Sequence, residues 1–519
     1  MRLSDYLDRG VSLGRDAPCL TAGTRTRTYG EVCDQTVSIA AALQHNGIQT
    51  GDRVAVLSAN DPLALTCVFA IARAGAVWCP VNPRNEADEN RQLFDLFGCR
   101  FLFFQSAFAG LVARIRDRLP RLEWLVCLDD DTGDDIDGAV PFDRWLTEHP
   151  GELDSQRHPD GGLCMLAGTG GTTGKPKGVR LTEDNLMTST ALALMSYPFG
   201  RRPRYLAMAP LTHSAGVLTF PILSLGGEVV IMPAPDLTEF LTLVQEHGIT
   251  HAFLPPTAIY GLLDTPALDR TDLSSLQCLW YGAAPMSPTR LEEALTRIGP
   301  VLGQLFGQTE APNMIATMAP ADHFRPDGSI ATERLRSAGR PTPLTTVAIM
   351  DEAGRLLGHG EPGEIVVRGP LVMDGYHENP TATAEVSQFG WHHTGDIGYL
   401  DDDGFLFVVD RAKDMIITGG FNVYSAEVEQ ALFTHPAVKE SAVVGLPDAK
   451  WGERVTAAVQ LRPDQTVTPE ELIAFVKERI GSVKTPKQIE IWPDLPRSKV
   501  GKILKNEIRD TLQQGENNE

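Results

Sequence analysis

Near the N-terminus the apolar positions switch repeatedly between helical and extended spacing. "TYGE" (28–31) has the form of a capping box, and helical periodicity then runs to Gly47, a residue suited to the position after a helix end. The extended run "RVAVLS" follows, then an apolar helix from near Pro62 to Gly75, then "VWCPV". The same rhythm returns further on: "RYLAMAP", a helix through Leu225, "EVVIMP", a helix from Leu237 to His247, "HAFLPP", another helix, "LQCLWYGAAP" and "SPTRLEEALTRIG". In the last of these, Ser287 and Pro288 suit the N-cap and first helical positions. The pattern predicts two parallel-sheet α/β units with helices on both faces.

Beyond about residue 340 the periodicity shortens to strands with turn glycines, "GEIVVRGP" and "GFLFVVDRAK", which predicts a smaller β-rich unit. From Arg411 the chain restarts as an α+β domain of roughly 110 residues with two helices and about three strands. Its second helix begins at Thr468, Pro469 and Glu471, with Val467 and Leu472 placed as a hydrophobic staple. The final "QQGENNE" is expected to be disordered.

Composition adds limits. The 519 residues are 42% hydrophobic and 22% charged, as in globular proteins, and length suggests more than one domain. A net charge of −21 opposes broad binding to nucleic acid or anionic membranes, so an anionic ligand must be met by local positive charge. Cys19, Cys33, Cys67, Cys79, Cys99, Cys127, Cys164 and Cys278 are scattered without a CxxC pair, as expected of reduced, mostly buried thiols in a cytoplasmic protein. "MRLSDYLDRG" has no apolar signal core, and Arg73 interrupts the apolar run around residue 68, so no integral membrane association is expected.

One stretch cannot build a core. "AGTGGTTGKPKGV" (167–179) holds five glycines, three threonines and two lysines, led in by Leu163–Ala167 and out by Val179 and Leu181. A linker does not carry lysines around a proline between strand-like runs. A Walker loop needs a glycine where Thr169 stands and a hydroxyl residue where Pro176 stands. The glycines nevertheless let backbone N–H groups converge, with threonine hydroxyls and lysine charge beside them. A phosphate cradle of another type is the leading reading.

Five blocks in order, "TGGTTGKPKG", "GQLFGQTE", "HHTGD", "DRAKDMIITGGFNVYSAEVE" and "PRSKVGKILK", resemble the signatures of the adenylate-forming superfamily of acyl-CoA synthetases, amino-acid-activating domains and luciferases. The resemblance implies a large N-terminal α/β domain (1–410) of two parallel subdomains plus a β-rich unit, then a small mobile α+β domain (411–519) hinged at Asp410. It also implies the reaction. A carboxylic acid attacks ATP to give acyl-AMP and pyrophosphate, and a thiol displaces AMP.

By the same resemblance, Thr169, Gly170, Gly171, Thr172, Thr173, Gly174 and Lys177 would grip the β- and γ-phosphates. Gly282, Ala283, Gly307 and Gln308 would also border the nucleotide, with Phe306 on adenine, Thr309 on the α-phosphate and Glu310 on Mg²⁺. Asp396 would accept the ribose hydroxyls and Arg411 would add a ribose or phosphate contact. Lys502 would be the catalytic lysine, and Gly419 and Gly420 would either border CoA or simply form a turn. His213, Val217, Tyr281 and Ala284 would line the acyl pocket, with His213 either gating it or structural.

In "PLTHSAG", His213 stands where amino-acid activators carry an aspartate, and "HSAGV" and "WYGAAPM" hold no Lys or Arg. The expected substrate is an apolar monocarboxylic acid, of medium chain length or carrying a ring, used with ATP and CoA. A carrier-protein acceptor, a non-catalytic relative and a homodimer are left open.

Overall fold

A computed structural model describes residues 1–129, 136–169, 176–448, 450–497 and 503–516. The chain forms two compact units, Met1–Val347 with Val367–His392, and Ala348–Val366 with His393–Glu519.

The first unit is built on two sheets. Among the described residues a seven-stranded sheet runs in the order 139–141, 124–127, 101–104, 53–57, 77–80, 163–169 and 177–182. It is parallel except at its last pair, Leu163–Thr169 against Lys177–Thr182. The nine-stranded sheet has a parallel centre from Leu302–Gln308 to Pro18–Ala22 and antiparallel edges at 311–318, 340–341 and 25–28. The parallel cores expected from sequence are therefore present. The antiparallel strands Arg25–Thr28 and Ala311–Met318 each follow their partner after a two-residue turn, without a crossover helix.

Local signals account for the helices. Thr28 caps Tyr29–His45 by accepting from Glu31 N–H, while the Glu31 carboxylate accepts from Thr28 N–H, and Gly47 follows at φ 81°. Helix Pro62–Arg73 takes its cap from the Asp61 carboxylate, which accepts from Leu63 and Ala64 N–H. Ser287 occupies its expected N-cap position without making the side-chain bond, since its N–H donates instead to the Tyr260 hydroxyl. The single helix expected through Leu225 is two short ones, Ser214–Val217 and Thr219–Ser224.

Most residues of the sheet 346–350, 363–368, 392–400, 406–411 belong to the second unit, as does a five-stranded sheet around 438–448 and 452–461. Thr468 and Glu471 cap helix Pro469–Lys484, and Leu472 and Val467 join one apolar cluster. After Arg411 there are three described helices and five strands, more than expected, because the pairs 416–418 and 421–423 are too short to register as periodic runs. The tail was also misjudged. Helix Lys505–Glu516 continues through Gln513–Glu516, anchored by buried Ile508 and Leu512. All eight cysteines are free thiols and only Cys33 is not fully buried. No described helix is long and apolar enough to cross a membrane.

Candidate active site

In the first unit the strands Cys278–Gly282 and Leu302–Gln308 run parallel with Gly282 opposite Leu305. A Cβ on Gly282 would stand 2.4 Å from the Leu305 carbonyl oxygen, and one on Gly307 would stand 2.5 Å from Asn313 N. Only glycine permits these approaches. Ala283, at φ 67°, and exposed Ala284 then turn the chain away from the sheet. The C-terminal ends of parallel strands are where open α/β sheets bind ligands, and Gly282, Ala283, Phe306, Gly307, Gln308 and Thr309 all stand there.

The turn Thr309–Glu310 reverses this strand into Ala311–Met318. Glu310 is buried, and its Oε1 accepts from the Tyr376 hydroxyl at 2.8 Å, while its carbonyl accepts from Met373 N–H at 2.8 Å. Burial and the adjacent carboxylate push the Tyr376 phenol well above its ordinary range, so it remains a donor. Tyr376 also bridges Val179, and the Lys177 ammonium lies 4.9 Å from its ring centroid. The base of the glycine-rich hairpin, Thr169 opposite Lys177, is thus tied through Tyr376 to Glu310. Gly170, Gly171, Thr172, Thr173 and Gly174 lie outside the described residues. Nothing in the local sequence of "GYH" singled out Tyr376 as a partner of Glu310.

His213 precedes the short helix Ser214–Val217, is exposed, and pairs its Nδ1 with Thr212 Oγ1 at 2.9 Å. Its loop is held from the other sheet. The Asn60 amide donates to the carbonyls of Ala207 and Ala209, and its Oδ1 accepts from Leu211 N–H. A cleft of about 250 Å³ between the two sheets is lined by Ser58, Asn60, Trp78, Arg84, Met208 and Thr212 among others, but not by His213, Val217, Tyr281 or Ala284.

Tyr281 is buried in the core. Its side chain is 1% exposed, its hydroxyl bonds His323 Nε2 at 3.0 Å and lies 3.2 Å from Gln304 Oε1. Strand alternation allowed either face, and packing of this one against helices 256–263 and 288–297 puts Tyr281 in the core. Val217 is likewise buried.

In the second unit, Asp396 Oδ1 and Arg411 Nε are 2.7 Å apart on paired strands, so two residues assigned separately to the nucleotide meet directly. The approach to Asp396 is shaped by Glu364, whose carboxylate accepts from Gly395 N–H at 2.9 Å and pairs with His393 Nδ1 at 2.7 Å. Asp410 is buried. Its carboxylate accepts from Arg411 N–H and from the N–H and hydroxyl of Ser425, capping helix Ser425–Phe433. Gly419 and Gly420, at φ 57° and 81°, form the two-residue turn between Ile416–Thr418 and Phe421–Val423. Gly419 N–H donates to the Trp451 carbonyl at 2.7 Å. Lys502 lies outside the described residues.

The first unit is an α/β fold in which the motif residues Gly282, Ala283 and 306–310 gather at strand ends, with the Glu310 carboxylate buried. The chain belongs to the AMP-binding enzyme family, whose model matches residues 7–377, with the AMP-binding enzyme C-terminal domain matching 427–502. It is 36% identical over 516 residues to a feruloyl-CoA synthase from Amycolatopsis sp, covering 98% of both chains. It is 35% identical over 511 residues to a medium/long-chain-fatty-acid–CoA ligase of Mycobacterium tuberculosis, covering 96% of this chain and 88% of that one. The amide bond synthetase of Marinactinospora thermotolerans has a similar structure, with TM-score 0.88, 32% identity, and coverage of 98% and 99%.

Proposed function

We propose that this chain is an ATP-dependent acid–thiol ligase that activates an apolar carboxylic acid as acyl-AMP and passes the acyl group to CoA. The observation that carries the reading is buried Glu310, one residue after Thr309 at the strand ends, joined through Tyr376 to the base of the glycine-rich hairpin. The full-length similarity to acyl-CoA ligases supports it.

In the first half-reaction a carboxylate oxygen attacks the α-phosphorus and the bond to the bridging oxygen breaks, releasing pyrophosphate. Backbone N–H groups and hydroxyls of Thr169–Lys177 hold the leaving phosphates, and Thr309 donates to the α-phosphate. Lys502 stabilises the charge that builds there. Asp396 accepts from the ribose hydroxyls with Arg411 beside it. Among the described residues no cluster of three metal-binding side chains exists, and a single buried carboxylate suits an ion ligated mainly by phosphate and water, so Glu310 would hold Mg²⁺. Bound there, the ion neutralises polyphosphate charge. In the second half-reaction the CoA thiolate adds to the acyl carbon and AMP leaves. Residues 411–519 turn about Asp410 between the two steps, and Gly419 and Gly420 then border the thiol arm. The enzyme works in the cytoplasm.

His213 and the absence of Lys and Arg from 213–217 and 280–286 favour an apolar monocarboxylate, because an unpaired second charge in such surroundings costs several kcal/mol. The test is kcat/KM over a panel of fatty, aromatic and cyclic acids beside dicarboxylates and amino acids, reading AMP formation with and without CoA. The best apolar acids should exceed the charged ones, with neighbouring homologues separated by only roughly 10- to 200-fold. Preference for an amino acid or a short dicarboxylate overturns the substrate class, and turnover indifferent to CoA overturns the ligase.

A further inference from the structure

Asn60 follows strand Arg53–Leu57 of the seven-stranded sheet, yet its side chain bonds to a loop of the nine-stranded one. The amide Nδ2 donates toward the carbonyls of Ala207, Met208 and Ala209 at 3.2, 3.4 and 3.0 Å, and Oδ1 accepts from Leu211 N–H at 2.9 Å. A side-chain amide offers both donors and an acceptor, and here both kinds go to the backbone of 207–211.

The contact is rigid at both ends. On the Asn60 side, Ala59 N–H donates to Gln105 Oε1 at 2.9 Å, and the Asp61 carboxylate caps helix Pro62–Arg73, so Asn60 stands between two fixed residues. On the loop side, His213 N–H donates to the Pro210 carbonyl at 3.1 Å, and Pro210 lies between Ala209 and Leu211, which Asn60 holds. The His213 carbonyl accepts from Gly216 N–H at 2.9 Å, and a Cβ on Gly216 would stand 1.9 Å from the Leu211 carbonyl oxygen. Residues 209–216 therefore form one tight turn, with the His213 side chain exposed on it. Asn60, Pro210, Leu211 and Thr212 also line the cleft of about 250 Å³ between the sheets. The turn cannot swing away from that cleft without breaking the bonds to Asn60.

We propose that Asn60 is a positioning residue for thioester formation, anchoring from the opposite sheet the turn that presents His213. The role rests on the reading of His213 as the residue that gates the acyl site. Asn60 touches neither the acyl group nor the thiol. It acts by giving the His213 backbone one place, through Pro210, while the thiol enters.

The test uses the full-length enzyme and two separate half-reactions: pyrophosphate release without CoA, and AMP release from preformed acyl-AMP with CoA. Asn60→Ala should lower kcat for thioester formation by roughly 10- to 100-fold, since a small misplacement near the reacting groups is felt in the transition state. Pyrophosphate release and KM for ATP should stay within a few-fold of wild type. Asn60→Asp has the same size and keeps the acceptor for Leu211 N–H but loses both donors, so its loss should be of the same kind, and it carries the test if Asn60→Ala does not fold. The decisive arm is the double variant His213→Ala with Asn60→Ala, or with Asn60→Asp. If Asn60 acts through His213, the double variant equals His213→Ala alone. Multiplicative losses, equal slowing of both half-reactions, or wild-type thioester formation in the Asn60 variants overturn the proposal. His213→Ala at the wild-type rate removes the reading of His213 and the proposal with it, whereas a slow His213→Ala beside unaffected Asn60 variants removes the proposal alone.

Discussion

The Tyr376 hydroxyl donates to Glu310 Oε1 at 2.8 Å across 66 residues of sequence. The bond gives a buried carboxylate one fixed partner. Tyr376→Phe keeps the ring over which Lys177 lies and deletes only the donor. It should cost about 1–3 kcal/mol of stability and raise the Mg²⁺ concentration needed for half-maximal pyrophosphate release. Denaturant melts and a Mg²⁺ titration read the two effects. An unchanged Mg²⁺ requirement would show that Tyr376 does not orient Glu310.

Lys502→Ala should lower pyrophosphate release by ~10²–10³, the effect of losing one preorganised charge at a developing anion. Thioester formation from supplied acyl-AMP should be much less affected. A pyrophosphate rate within a few-fold of wild type would refute the assignment.

Gly419 is constrained twice, by φ of 57° and by Trp451, whose ring carbon would lie 3.0 Å from a Cβ placed there. Gly419→Ala should cost about 1–2 kcal/mol of local stability. If the turn borders CoA, the same change should raise KM for CoA while adenylation persists. Equal loss in both half-reactions would assign the glycine to the turn alone.

His251 and His323 are both held at about 4, each chiefly by burial. A folded value below the ordinary 6.5 means that the folded state binds fewer protons between the two values. Their stabilisation is complete above pH 6.5 and is lost as pH falls from 6.5 toward about 4, with a slope near 1.4 kcal/mol per unit for each histidine. His251→Gln should flatten the acid limb of a stability-versus-pH curve by one proton. An identical limb in the variant would exclude burial of the neutral ring as the cause.

Much of the fold was legible in sequence because its signals are local. The capping boxes at Thr28 with Glu31 and at Thr468 with Glu471 need only three residues of separation, and both formed. The alternating strand and helix periods carried the parallel sheets, and the ordered blocks carried the family. Close approach explains the glycines at 282 and 307, where the backbone itself leaves no room for a side chain.

The tertiary structure decided what depends on distant partners. Tyr281 had two faces available and only the packing of helices on its sheet put it in the core. Asn60 shapes the His213 loop from 151 residues away, and Lys505 reaches Ser425 across 80. The tail became helix because Ile508 and Leu512 found an apolar surface on another segment. Period and capping are properties of neighbouring residues, so the chain carries them by itself. Which polar group meets which carboxylate is decided only when the sheets and helices close on one another.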